Sequence, residues 1–136
     1  MTLILWLIHM RFIFLILMTT LILASCAPRS ILGPVYLIYP EMRPIEIEVR
    51  SFSFQPNHIL ILRNHSSIAF RLTNTADMPH NFTLLDPQEN VLLNKDLKSK
   101  ESITFTVEPL SPGNFQFYCS RFLHRHKGME GMLMMD

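Results

Sequence analysis

The chain has 136 residues and a mass of 15.9 kDa, room for one domain and no more. A content of 49% hydrophobic and 17% charged residues excludes a disordered chain, and two cysteines exclude a disulfide-rich scaffold. Residues 1–25 carry one charge, Arg11; removing them leaves 11 basic and 11 acidic side chains, so the remainder has no electrostatic footprint for nucleic acid.

Residues 3–24 are long and apolar enough to span a bilayer, but Arg11 sits in their middle, where a charge is costly. A start at Met10 removes the conflict. Met10-Arg11 then forms a short basic head, Phe12–Leu23 an apolar run of signal-peptide length, and residues 1–9 an over-extended start. The run ends in Leu23-Ala24-Ser25-Cys26. That stretch resembles a bacterial lipobox, which implies cleavage before Cys26 and lipidation of its thiol. Residues 1–25 are therefore expected to be a lipoprotein signal peptide that exports the rest. The product would sit lipid-anchored on the outer face of the cytoplasmic membrane or in the periplasm. An ordinary cleavage site with a stray Cys is the plain alternative. Residues 26–44, with Pro28, Pro34, Pro40 and Pro44, read as an extended linker. Within it Val35–Tyr39 is too apolar for a pure tether.

From Ile45 to Asp136 the pattern is that of short strands. Ile45, Ile47 and Val49 alternate with Glu46, Glu48 and Arg50, and Ser51–Phe54 continues the run. Gln55-Pro56-Asn57 signals a turn, Ile59–Leu62 a strand, and Arg63-Asn64-His65-Ser66 a second turn. Ile68–Thr73 and His80–Leu85 are strands around Asn74-Thr75-Ala76-Asp77, and Asp86–Asn90 turns the chain again. Leu92–Lys100 has room for one helical turn. Ser102–Val107 alternates well, Phe115–Cys119 follows a Ser-Pro-Gly-Asn turn, and Met132–Met135 is the last strand. Roughly seven or eight short strands with regular turns predict an all-β, antiparallel two-sheet sandwich.

The chemistry gathers late in the chain. With Cys26 lipidated, Cys119 is the one free thiol of the exported part, and such a thiol must be buried or bound. It is followed by His124, His126 and Met129. A thiolate, an imidazole and a thioether in one loop form a potential copper site. The loop offers Cys-x4-His-x4-Met through His124 or Cys-x6-His-x2-Met through His126, and the even spacing favours His124. A second imidazole can come from His80, just before a strand. Two nitrogens, a thiolate and a weak thioether suit trigonal copper with a long axial Met, whereas zinc seldom takes thioether. Each residue also has a plain reading: His80 as a turn histidine, His58 and His65 as solvated. For Met132, Met134 and Met135 the plain reading is packing, with the first two on one strand face.

Residues 45–136 resemble a cupredoxin of the plastocyanin–azurin family. The resemblance rests on Phe52–Pro56, Leu72–Phe82, Ser111–Cys119, His124 and Gly128–Gly131, which occur in family order. It implies a Greek-key sandwich with one type 1 copper held by His80, Cys119, His124 and Met129. It also implies that Asn81 and Ser120 tie the two ligand loops together. The turn 63–66 departs from the family in carrying Asn64 where many relatives have Gly.

The function implied is that of a membrane-tethered blue-copper electron carrier, not an enzyme, cycling Cu(I) and Cu(II). Phe122 and Leu123 would supply part of an apolar exit patch around His124, and Arg121, Arg125 and Lys127 would favour a partner with an acidic rim. Such partners are cytochrome c or a membrane-bound respiratory or photosynthetic complex, met by a monomer. The alternatives are a copper-delivery or copper-storage lipoprotein, and a structural lipoprotein that has lost its copper.

Overall fold

A computed structural model describes residues 10–11, 33–39, 44–62, 67–108 and 110–136. The apolar leader with Cys26 and the turn 63–66 lie outside the described residues, so lipidation and the Asn64 substitution have no structural counterpart here. Among the described residues no helix is long and apolar enough to cross a membrane. Residues 1–30 and 31–136 form two separate units, and the second carries the strands.

Among the described residues ten strands build two sheets. A four-stranded sheet has the order β3 (Ser53–Gln55), β2 (Ile45–Arg50), β5 (Ile68–Asn74), β8 (Ser102–Val107). A six-stranded sheet has the order β1 (Tyr36–Ile38), β4 (His58–Ile61), β10 (Glu130–Met135), β9 (Gly113–Tyr118), β6 (His80–Leu85), β7 (Val91–Leu97). The expected sandwich is present, but its sheets are mixed. β1 runs parallel to β4, β4 to β10, and β2 to β5. Alternating hydrophobicity reports which face of a strand is buried; it is the same for parallel and antiparallel neighbours, so it cannot reveal direction.

Four local expectations are corrected as well. Ser51–Phe54 does not continue β2. The chain reverses at Ser51-Phe52, where Phe52 takes a positive φ of 64°, and β3 pairs back with Val49 opposite Phe54. Leu92–Lys100 forms no helical turn; most of it lies in β7, paired with β6 from His80 opposite Leu97 onward. β7 is an edge strand with Val91 and Leu92 exposed, so burial leaves no alternating signature on it. Val35–Tyr39, read as linker, contains β1, which extends the sheet beyond β4. His58 is half-buried in β4 with its Nδ1 3.4 Å from the Gly33 carbonyl, not solvated in a turn.

The core lies between the sheets. Phe54 and Phe70 come from the four-stranded sheet and Phe82 and Phe117 from the six-stranded one; all four are buried. Phe82 stacks on Phe117 with centroids 5.1 Å apart, and Phe54 meets both rings edge-on at 5.7 and 5.4 Å. This wedge fixes the separation of the sheets near the ends of β6 and β9, where the chemistry collects.

Candidate metal centre

β6 begins at His80 and the antiparallel β9 ends at Tyr118, with Thr83 opposite Tyr118. His80 and Cys119 therefore emerge at the same end of the sandwich. Both are fully buried.

The connection from Cys119 to β10 is a compact loop closed by its own backbone. The Cys119 amide donates to the Met129 carbonyl at 3.0 Å, and the Met129 amide to the His124 carbonyl at 3.1 Å. Arg125–Lys127 form one turn of 3-10 helix capped by Gly128, whose φ of 92° is readily open to glycine. Leu123 has φ 61°, an unusual conformation for a branched residue, and it is followed directly by His124. Of the two loop histidines, His126 lies within the helical turn and His124 at its start.

This fold brings three of the sequence-identified residues to one point. The Nδ1 atoms of His80 and His124 are 3.2 Å apart, and Cys119 Sγ lies 3.3 Å from His124 Nδ1. The three donor atoms are all within 4.8 Å of one another. Two ligands each about 2 Å from a common ion would lie roughly 3–3.5 Å apart, so the arrangement suits one metal held by all three. Met129 is fully buried and joins this loop through the two backbone bonds above. One soft thiolate donor and two imidazoles fit a single type 1 copper site, as expected.

The electrostatics agree with that chemistry. Burial, the neighbouring His124 and the Arg121 charge lower the pKa of His80 to about 4. Burial, then Lys127 and Arg121, lower His124 as well. Both rings are thus poised to be neutral, the form that can ligate. Burial pushes the Cys119 thiol up, against the opposing backbone hydrogen bonds of Arg121 and Asn81 and the Arg121 charge. The thiol holds its proton until a metal displaces it. His80 Nε2 is buried without a hydrogen-bond partner among the described residues, so its ring is held by packing on that side.

Asn81 and Ser120 are joined by hydrogen bonds. Asn81 Oδ1 accepts from the Ser120 hydroxyl at 3.0 Å and from the Ser120 amide at 3.3 Å. Sequence reasoning missed the residues that aim this amide. Thr83 donates its hydroxyl to the same oxygen at 2.7 Å, and Asn94 on β7 accepts from Asn81 Nδ2. The buried carboxamide is thereby pinned on both ends. Also missed was Phe52, whose ring meets His124 edge-on at 5.0 Å and carries the Lys127 ammonium 3.9 Å from its centroid. A link between Asp96 and Arg121, at 3.2 Å, escaped notice for the same reason. Apart from the Thr83–Asn81 bond, which links two positions of one strand, these contacts join residues separated in the chain, and no local pattern marks them.

A pH dependence follows from His80. In the unfolded chain its imidazole titrates near 6.5, whereas in the folded protein it stays neutral down to about 4. Between those values only the unfolded state takes up the proton. The stabilisation is therefore complete above pH 6.5 and is lost as pH falls toward 4, with a slope approaching about 1.4 kcal/mol per pH unit. Urea midpoints of metal-free protein should drop between pH 7 and pH 5, and His80→Asn should flatten the drop. An equal drop in the variant would assign the acid sensitivity elsewhere.

A family model described as the cupredoxin-like domain matches residues 13–134. A comparison with curated proteins finds no match. Among solved structures, reduced auracyanin from the photosynthetic bacterium Roseiflexus castenholzii superposes with a TM-score of 0.60 at 18% identity, covering 68% of this chain and 96% of its own. Azurin Az-iso2 from Methylomonas sp. strain J gives 0.61 at 12% identity, over 70% and 98% of the two chains. Auracyanin A, a "blue" copper protein of Chloroflexus aurantiacus, gives 0.55 at 16% identity, over 69% and 100%.

Proposed function

The chain belongs to the cupredoxin-like domain family, and we propose that it is a membrane-tethered blue-copper electron carrier rather than an enzyme. The observation that carries this reading is the convergence of His80, Cys119 and His124 donors beneath an exposed apolar tip. Copper bound there would supply the one-electron Cu(I)/Cu(II) chemistry. In this reading the ligands are His80, Cys119, His124 and the buried Met129, with Asn81 and Ser120 locking the ligand loops together.

The protein's own contribution is rigidity and access. His80, Cys119 and Met129 are buried and tied to strand ends, so the donors cannot move far between redox states. His124 is half-buried, and it adjoins Leu123, 47% exposed, and Phe122, 87% exposed. Those two side chains form a small apolar contact surface with the redox centre directly behind it. Arg121, Arg125 and Lys127 flank it in the sequence and would favour a partner with an acidic rim, such as a cytochrome c or a membrane-bound respiratory or photosynthetic complex. The monomer docks through this end.

Two measurements test the reading. Adding Cu(II) to the purified protein should give an intense visible band and a reversible couple by voltammetry. His126→Ala should keep both, while His124→Gly should open the site so that added imidazole restores the band. A colourless Cu(I) complex that surrenders its metal to a mild chelator would favour the copper-delivery or storage reading instead.

The tether rests on Leu23-Ala24-Ser25-Cys26 after the apolar run. Cys26→Ser should yield unlipidated protein that is released from membranes or stalls unprocessed. An unchanged mass and membrane fraction would remove the lipoprotein reading and the exported, membrane-bound location with it. A diacyl anchor at Cys26 would hold stably, because two chains exceed the marginal binding of one.

A further inference from the structure

We infer that the outer face of the β1–β4–β10 sheet edge is a second contact surface, one that lays the domain against the lipid bilayer. The inference rests on the tether proposed above. Strand alternation divides residues 35–39 into two sets. Ile38 packs against the core and the Tyr36 hydroxyl accepts from Gln55 Nε2 at 3.0 Å, so this set faces the other sheet. Val35, Leu37 and Tyr39 form the opposite set and are 48%, 61% and 66% exposed.

Sheet register continues this apolar row inward. Leu37 stands opposite Leu60 of β4, and Leu60 opposite Met134 of β10. In both inner strands the alternate residues, Ile59, Ile61, Leu133 and Met135, are buried in the core, so Leu60, Met132 and Met134 point outward and are half-buried. Val35, Leu37, Tyr39, Leu60, Met132 and Met134 thus make one apolar surface on the face away from the core. Packing within the sandwich does not account for it. A patch of this kind on a monomer marks an interaction site.

Three observations commit it to lipid. Only eight residues separate Cys26 from Val35, so the strip can lie no further than about 30 Å from an anchored residue 26. Residues 27–40 contain Arg29 and no acid, and so meet no repulsion from anionic headgroups. The strip sets aliphatic side chains beside Tyr39, whose amphipathic ring is of the type that favours the headgroup boundary. The surface also suits the proposed function. Cys119 and His80 lie at the end of the sandwich and the strip on its broad face, so a domain lying on this face points its redox end along the membrane plane.

The test uses the full chain, expressed with its leader, purified from membranes and reconstituted in phosphatidylethanolamine–phosphatidylglycerol vesicles. The one tryptophan, Trp6, lies in the leader that processing removes, Trp6→Phe clears it from any unprocessed protein, and a single reporter is placed at Leu37→Trp or, as control, at Val91→Trp. Val91 is 59% exposed on β7, the opposite edge of the same sheet. With acyl-brominated lipid, the Leu37→Trp emission should shift to the blue and be quenched, and the Val91→Trp emission should be neither. Flotation of the vesicles reports the tether separately. Protein that floats with both reporters unquenched would overturn lipid docking while leaving the tether intact. Protein that does not float at all would overturn both. A reporter that is shielded only as protein concentration rises, without quenching by lipid, would overturn it in favour of a second copy of this chain.

Discussion

Copper-loaded Cys119→Ser protein should be colourless. The visible band of a copper thiolate originates on sulfur, and Cys119 is the one free thiol among the described residues, its donor atom within 4.8 Å of two imidazole nitrogens. A serine hydroxyl is hard, holds its proton near neutral pH, and cannot replace a soft thiolate. The substitution removes the band outright instead of shifting it, and the reversible couple goes with it. Loss of fold would be a trivial route to the same result, and the structure makes that separable. The amide of residue 119 still donates to the Met129 carbonyl, so the loop closure does not depend on the side chain. Serine is also close to cysteine in size. Far-ultraviolet circular dichroism and the metal-free urea midpoint should stay near wild type while the colour disappears. A blue Cys119→Ser protein would refute thiolate ligation at this residue.

The second large effect is on stability. Phe82→Ala should destabilise the protein by about 3–5 kcal/mol, the range for deleting a large aromatic side chain from a packed core. Phe82 is buried on β6 and touches four other rings: Phe54, Phe70, Phe105 and Phe117. Its neighbours come from both sheets, so collapse of the cavity would require the sheets to move together, which rigid strand pairing resists. The residue lies two positions from His80 on the same face of the strand. The loss should therefore appear in the urea midpoint of the metal-free protein and also as faster release of bound copper. The exposed edge gives the comparison: Val91→Ala on β7 should cost far less, because its side chain is largely solvated. Equal losses at the two positions would mean that the aromatic wedge does not hold the sheets.

Much of this was legible in the linear chain, for a definite reason in each case. The alternation of Ile45, Ile47 and Val49 exposes a strand because one face of it is buried and the other wet. The same logic placed β5, β6, β8 and β9 to within a few residues. It failed for β1 and β7, which are edge strands whose side chains are mostly exposed on both faces. It failed again at Phe52, where a hairpin reversal uses a bulky residue with positive φ in place of the usual glycine or asparagine. The donors Cys119, His124 and Met129 stood out because they share one loop, so short-range spacing limits what they can reach together. His80 could be named only as a possible second imidazole at the start of a strand, since 38 residues separate it from Cys119 and no local spacing links the two.

By itself, the sequence determined the fold class, the chemical nature of the site and its position late in the chain, because burial pattern and ligand softness are properties of residues and their near neighbours. Only the tertiary structure decided the rest. It set the parallel pairing of β4 with β10, which alternation cannot encode. It set the support of Asn81 by Asn94, which requires β6 and β7 to be in register, and the edge contact of Phe52 with His124, which lie far apart in the chain. It also aligned Leu37, Leu60 and Met134, scattered across the 98 residues from 37 to 134, into one outward row. Hydrogen bonding between strands fixes which residues become neighbours, and that choice is made by the packed chain as a whole.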